Sequence, residues 1–324
     1  MSHASKKSQI AVVVSIVAVL TVISALVFLG EEPESGSGQS PSLAVSYILP
    51  TEAGAWVPEV AHKGSLPSDT GQVTIQNVGV FTFEATEVET LRPDIFQAGH
   101  FSVFDVVAHL AKEGDIELTY HFDDSAGTHL IDTINGQNDW WYTAFYSGGW
   151  SERIAFRMDM FPYKDGTEIR LFRDQNVDAI YTSFREEFSR LEANDGRIII
   201  PEVRITGPRL NLTYSNVEVQ AYNLRSDVLQ SGVVTAMDVL LSLAEQEKIE
   251  RLKLTWYDRI GRADPVENYF TEQINNAEAR GTCGFVYEAG PNAFSRHKGN
   301  HIHLASDVRV IIAPEYALWF WICL

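Results

Sequence analysis

The chain has 324 residues, 43 of them acidic against 25 basic, for a formal net charge of −18. An excess of negative charge on this scale repels phosphate backbones and argues against nucleic acid as a partner. It otherwise describes an ordinary acidic exterior.

Taken in chain order, the first element is an uncharged run from Ile10 to Leu29. At about 1.5 Å of helix rise per residue it spans roughly 30 Å, the thickness of a bilayer's hydrocarbon core. Lys6 and Lys7 precede it, and Glu31, Glu32 and Glu34 follow. The positive-inside bias therefore predicts a cytoplasmic tail over 1–9, a transmembrane anchor over 10–29 and a body outside the cytoplasm. A cleaved signal peptide is the alternative, but bulky Val27-Phe28-Leu29 stands where a protease wants small side chains. A Glu/Pro/Gly/Ser-rich start, EEPESGSGQSPS, makes 30–70 a stalk.

The body repeats itself. SVFDVVAHLA, from Ser102, aligns without a gap to TAMDVLLSLA, from Thr235, and both open with a hydroxyl residue followed three positions later by Asp, a variant of the helix capping box. Apolar residues then recur at helical spacing, predicting two equivalent helices. Strand-like segments precede each helix: VTIQNVGVFTFEA in the first copy, VRIT and VEVQAY in the second. After each come a strand (IELTYHF, RLKLTWY), an Ile-Asn turn at 134 and 274, and an aromatic strand (WWYTAFY, GFVYEA). A closing strand follows, TEIRLF or DVRVII. Hairpin regions around one helix predict an α+β unit used twice, over 71–175 and 201–324. Between them, within 176–200, Ile180, Phe184, Phe188 and Leu191 share one face of a connecting helix that Gly196 would end. The terminal ALWFWICL predicts a final core strand.

The order S/T-x-x-D helix, strand, Ile134-Asn135-Gly136, Trp141-Tyr142 and a closing strand after Asp165-Gly166 resembles the small β-grasp-like domain of the C-terminal part of transcobalamin and intrinsic factor. The second copy keeps Thr235, Asp238 and Ile274-Asn275, but has Asn276 for Gly136 and Gly284-Phe285 for the Trp-Tyr pair. The resemblance implies two tandem β-grasp-like modules, each a mixed sheet packed on one helix, behind the transmembrane helix, in a cell-surface setting. It also implies a corrinoid as a candidate ligand, although the helical barrel that holds most of the ligand in those carriers has no counterpart here.

Alternate residues of a strand face opposite sides, so Trp141, Thr143 and Phe145 share one face of the aromatic strand and Trp140, Tyr142, Ala144 and Tyr146 the other. One row packs on the helix; the other is a second buried layer or an exposed platform. As a platform, Trp140, Trp141, Tyr142, Tyr146 and Trp150 would stack on flat rings or sugar faces. A second candidate is HKGNHIHLASD, in which His301 and His303 point to one side of a strand and His297 reaches back across a turn, a three-imidazole set for a divalent metal. His109, His121 and His129 read as surface or hydrogen-bonded residues. Cys283 and Cys323, on the outer side, are expected to pair in an oxidising compartment, two thiols being the alternative. Asn211-Leu212-Thr213 is a glycosylation sequon. No nucleophile elbow or phosphate-cradling glycine loop occurs, so the reading is a binding protein rather than an enzyme. Its expected target is a small ring-bearing molecule or a glycan; the alternative is a structural or adhesive surface protein whose modules meet other proteins.

Overall fold

A computed structural model of the chain describes residues 62–145, 156–260, 265–290 and 304–323. The anchor and most of the stalk lie outside the described residues, and no helix within them is long and apolar enough to cross a membrane.

The fold is α+β with mixed sheets. In the first half, β1 (Thr70–Ile75) turns into β2 (Gly79–Glu84) through Asn77, whose φ of 61° lies in the left-handed region tolerated by Asn. Helix α1 (Val103–Glu113) follows, then the hairpin β3 (Leu118–Asp123) and β4 (Thr128–Ile134), then β5 (Trp140–Phe145) and β6 (Glu168–Arg173). The strand order is β2-β1-β6-β5; β6 enters beside β1 as a parallel partner, and the other pairs are antiparallel.

After helix α2 (Val177–Ala193) the same order returns. The elements are β7 (Ile199–Gly207), β8 (Leu210–Glu218), helix α3 (Ala236–Glu245), β9 (Leu252–Tyr257), β10 (Asn268–Ile274), a short β11 (Ala277–Glu278), β12 (Cys283–Gly290) and β13 (Tyr316–Cys323). The second sheet runs β8-β7-β13-β12, again with a central parallel pair, β7 and β13. Even a defect is duplicated. The β3–β4 ladder skips Asp132 and the β9–β10 ladder skips Glu272, two acidic residues at equivalent bulges.

Both capping boxes form. The Asp105 carboxylate accepts from Ser102 N–H at 2.6 Å, and that of Asp238 from Thr235 N–H at 2.7 Å. Helix α1 ends at Gly114, which takes φ 87° and lets Asp115 N–H reach the Leu110 carbonyl. Each helix presents its apolar residues to a separate core, and the first core also receives Leu304, Val308 and Val310 from the second half of the chain.

The second copy departs from the expected strands in two places. VEVQAY is mostly past the end of β8, because the strand is the preceding LNLTYSNVE. DVRVII is a turn and an isolated bridge at Val310 rather than a closing strand. Its alternation has another cause: Val308 and Val310 enter the core while Asp307 and Arg309 enter buried ion pairs. The closing strand is β13, containing ALWFWIC, between β12 and β7.

Candidate functional site

Trp140, Trp141, Tyr142 and Ala144 of the aromatic strand are core. Trp140, Trp141 and Tyr142 are at most 3% exposed. Tyr142 donates its hydroxyl to the Phe156 carbonyl, and Trp140 its indole N–H to that of Gln137. Trp141 of the outer row is buried too, because α2 lies over it: it meets Tyr181 edge-on at 5.8 Å and Phe184 at 6.2 Å, whereas Phe145 in the same row is 39% exposed. Of the two arrangements the alternation allows, the fold adopts the second buried layer at these positions. Tyr146, Trp150, His297, His301 and His303 lie outside the described residues. Among the described residues no cluster of His, Cys, Asp or Glu is arranged to hold a metal ion. Cys283 and Cys323 are bonded and face each other at the ends of β12 and β13. Asn211 is exposed on β8.

A different set of side chains is repeated in both halves. Arg92 sends Nε and Nη2 to the two carboxylate oxygens of Asp94 at 2.9 and 2.8 Å, and Nη1 to Asp159 at 2.8 Å. Arg225 does the same with Asp227, both at 3.0 Å, and with Asp307 at 2.9 Å. Each guanidinium also lies over a ring of the following hairpin, Phe122 at 5.5 Å or Trp256 at 5.1 Å. The buried aspartates collect further donors. Asp159 accepts from Thr128 and from His129 through N–H and Nδ1, and Asp307 from Asn268 and Tyr269 N–H. Burial works to raise the Asp159 pKa, but these hydrogen bonds and the Arg92 charge outweigh it and hold the group below the usual carboxylate range.

The two sets differ in what covers them. In the second half, Trp256 is 2% exposed and the His62 ring stacks on it at 5.1 Å, 11° from parallel. Two residues on, Gly64 N–H donates to Asp227 at 2.7 Å, and Ser65 donates its N–H and hydroxyl to Glu267, each at 2.7 Å. The end of the expected stalk is thus a strap across the second hairpin. In the first half the corresponding Phe122 is 42% exposed and Tyr120 40%. Both rings meet the His129 imidazole edge-on, at 5.0 and 5.8 Å. The Asp94 side chain is 62% exposed, against 7% for Asp227.

A cleft of about 50 Å³ opens between the halves, lined by His100, Lys164, Arg225 and Glu267 among others. Its volume suits a water or two, not a ligand of the size that occupies cavities of roughly 300–1,000 Å³. Burial lowers the Lys164 pKa to about 8 against the opposing pull of Asp307 and Glu267.

The sequence carried a signal for the duplicated arginines that the helix motif alone does not use. LRPDIFQAGHFSVFD from Leu91 and LRSDVLQSGVVTAMD from Leu224 align without a gap, sharing Leu, Arg, Asp, Gln and Gly ahead of the capping box. No family model, curated protein or solved structure matches the chain.

Proposed function

We propose that the chain is a membrane-anchored extracytoplasmic protein whose two β-grasp-like modules bind other proteins, with the β3 face of the first module as the contact surface. The β-grasp-like assignment is supported by a helix set between two hairpins and by parallel first and last strands at the centre of each sheet. The anchor rests on the uncharged run Ile10–Leu29 and its flanking charges. One observation carries the functional reading. Tyr120 and Phe122 stand open beside His129, whereas their counterparts Leu254 and Trp256 are 0% and 2% exposed. Adjacent exposed aromatics over a guanidinium are the kind of anchor around which protein interfaces form. Capture of a corrinoid or glycan on WWYTAFY is disfavoured, since Trp140, Trp141 and Tyr142 are enclosed.

The test is a photoreactive side chain introduced at Tyr120 of the full-length protein in its native membrane, with Asn211 as an exposed reference position. Protein adducts concentrated at Tyr120 are expected. Adducts no more frequent there than at Asn211 would sink the reading, and saturable retention of cobalamin by the same preparation would replace it.

A further inference from the structure

The chain contains its own demonstration of what such a face accepts. The two Arg-Asp-ring sets correspond residue by residue: Arg92 with Arg225, Asp94 with Asp227, Asp159 with Asp307, Phe122 with Trp256, and the backbone N–H of His129 with that of Tyr269. On the second set lies an extended segment that places a ring on Trp256 and, two residues later, a backbone N–H on Asp227. A side chain at that later position would be crowded. A Cβ at Gly64 would come to 3.0 Å from Arg225 Nη2 and 3.5 Å from Asp227.

The geometry points to the open face of the first module as a docking site for an extended segment of a partner protein carrying a ring, any residue, then glycine. Its ring stacks on Phe122 and its glycine N–H donates to Asp94. This rests on the protein-contact reading and names the partner's chemistry. The Asp94 carboxylate is already oriented by the Arg92 fork, so the acceptor needs no rearrangement to receive an N–H. A segment with a positive charge is favoured by a chain of net charge −18, and the internal strap itself carries Lys63.

The correspondence also says where the docked segment must stop. Glu267, which clamps Ser65, corresponds to Gly127, and both backbones are left-handed, at φ 48° and 65°. A Cβ at Gly127 would meet Phe188 of α2 at 2.2 Å, so the helix fills the space where the second clamp would stand. The partner chain therefore turns away after its glycine, and the contact is short and reversible.

The experiment uses the full-length protein in nanodiscs and the peptide HKGSLPS, the chain's own residues 62–68, labelled at its C-terminus and followed by fluorescence anisotropy. Saturable binding is expected, with a loss of at least about tenfold in Phe122→Ala and in Asp94→Asn. A peptide with alanine for glycine should bind as weakly. Both protein positions are exposed, and an unchanged melting temperature verifies that the variants fold. The proposal is overturned if the wild type shows no saturable binding up to about 1 mM peptide, or if the variants bind as well as wild type. It is also overturned if binding survives in them and is lost in Asp227→Asn, which would place the peptide on the second module. Peptide failure alongside Tyr120 adducts would discard the ring-x-Gly chemistry and keep the protein-contact reading; absence of both would discard the two together.

Discussion

Gln97 and Gln230 bind each other's chain segment in the same way. The Gln97 side-chain amide donates to the Leu229 carbonyl at 3.1 Å, and that of Gln230 to the Phe96 carbonyl at 2.9 Å. Their backbone N–H groups do likewise, Gln97 to Val228 and Gln230 to Ile95, around an antiparallel bridge between Phe96 and Leu229. Each residue is the repeat counterpart of the one it faces, so the halves meet as the subunits of a two-fold dimer do, through an isologous contact made within one chain.

That contact is expected to couple the stability of the two halves. Gln97→Ala and Gln230→Ala should each cost about 1 kcal/mol, the net value of a hydrogen bond between protein groups. Urea unfolding followed separately by probes in each half should show both midpoints falling together in either variant. A shift confined to the half that carries the substitution would mean the bridge transmits nothing.

Arg225 neutralises a carboxylate that has no route to water, since the Asp307 side chain is 0% exposed. Arg225→Ala should cost about 3–5 kcal/mol, because it leaves a buried charge without its partner. Adding Asp307→Asn should recover part of the loss, and a double-mutant cycle in denaturant reads the coupling directly.

Trp141 and Phe122 offer a contrast in consequences. Trp141→Ala should cost about 3–5 kcal/mol by opening a cavity beneath α2. Phe122→Ala, at a position 42% exposed, should shift the melting temperature far less while altering binding. Calorimetric melts of the two variants check this ordering.

Much of this architecture was legible in the sequence. The capping boxes, the Ile-Asn turns and the periodicity of α1 and α3 are local signals, and Asn135 and Asn275 indeed take φ 49° and 51° and accept from Glu117 and Glu250 N–H. Burial of Trp141 was not legible, because what covers it is a helix about 40 residues further along the chain, and periodicity shows which residues share a face, not what lies over it. His109 reads as polar-side but is buried in α1. The strap was invisible for the same reason: His62–Ser65 has stalk-like composition, and its partners Asp227, Trp256 and Glu267 are remote in sequence. The arginine sets were visible only as a repeat, since a single Arg-x-Asp says nothing of burial.

Glu187 of α2 contributes to the pH dependence, alongside Asp238 of the second capping box, whose burial also raises its pKa to about 7. Glu187 is 1% exposed beside Arg157, whose Nη1 lies 2.7 Å away. Burial, opposed by Arg157 and reinforced by the like charge of Glu315, raises its pKa to about 7. The folded state retains a proton that the unfolded chain releases near 4.5. Stability from this group is therefore fully present below about pH 4.5 and is lost as pH rises to about 7. Urea midpoints should fall between pH 5 and 7.5, and Glu187→Gln should flatten that decline. An unchanged slope in the variant would assign the pH dependence to other groups.

The bond between Cys283 and Cys323 has a consequence for processing. The connection between β12 and β13 joins Gly290 to Tyr316, and β13 is the strand on which both β7 and β12 pair. A protease that cut anywhere in that stretch would release nothing, because the severed C-terminal piece is held covalently to Cys283 at the head of β12. The second half can thus persist as a two-chain species, migrating as one band until a reductant is added. A cut between β5 and β6 in the first half would leave the two pieces joined by noncovalent contacts alone.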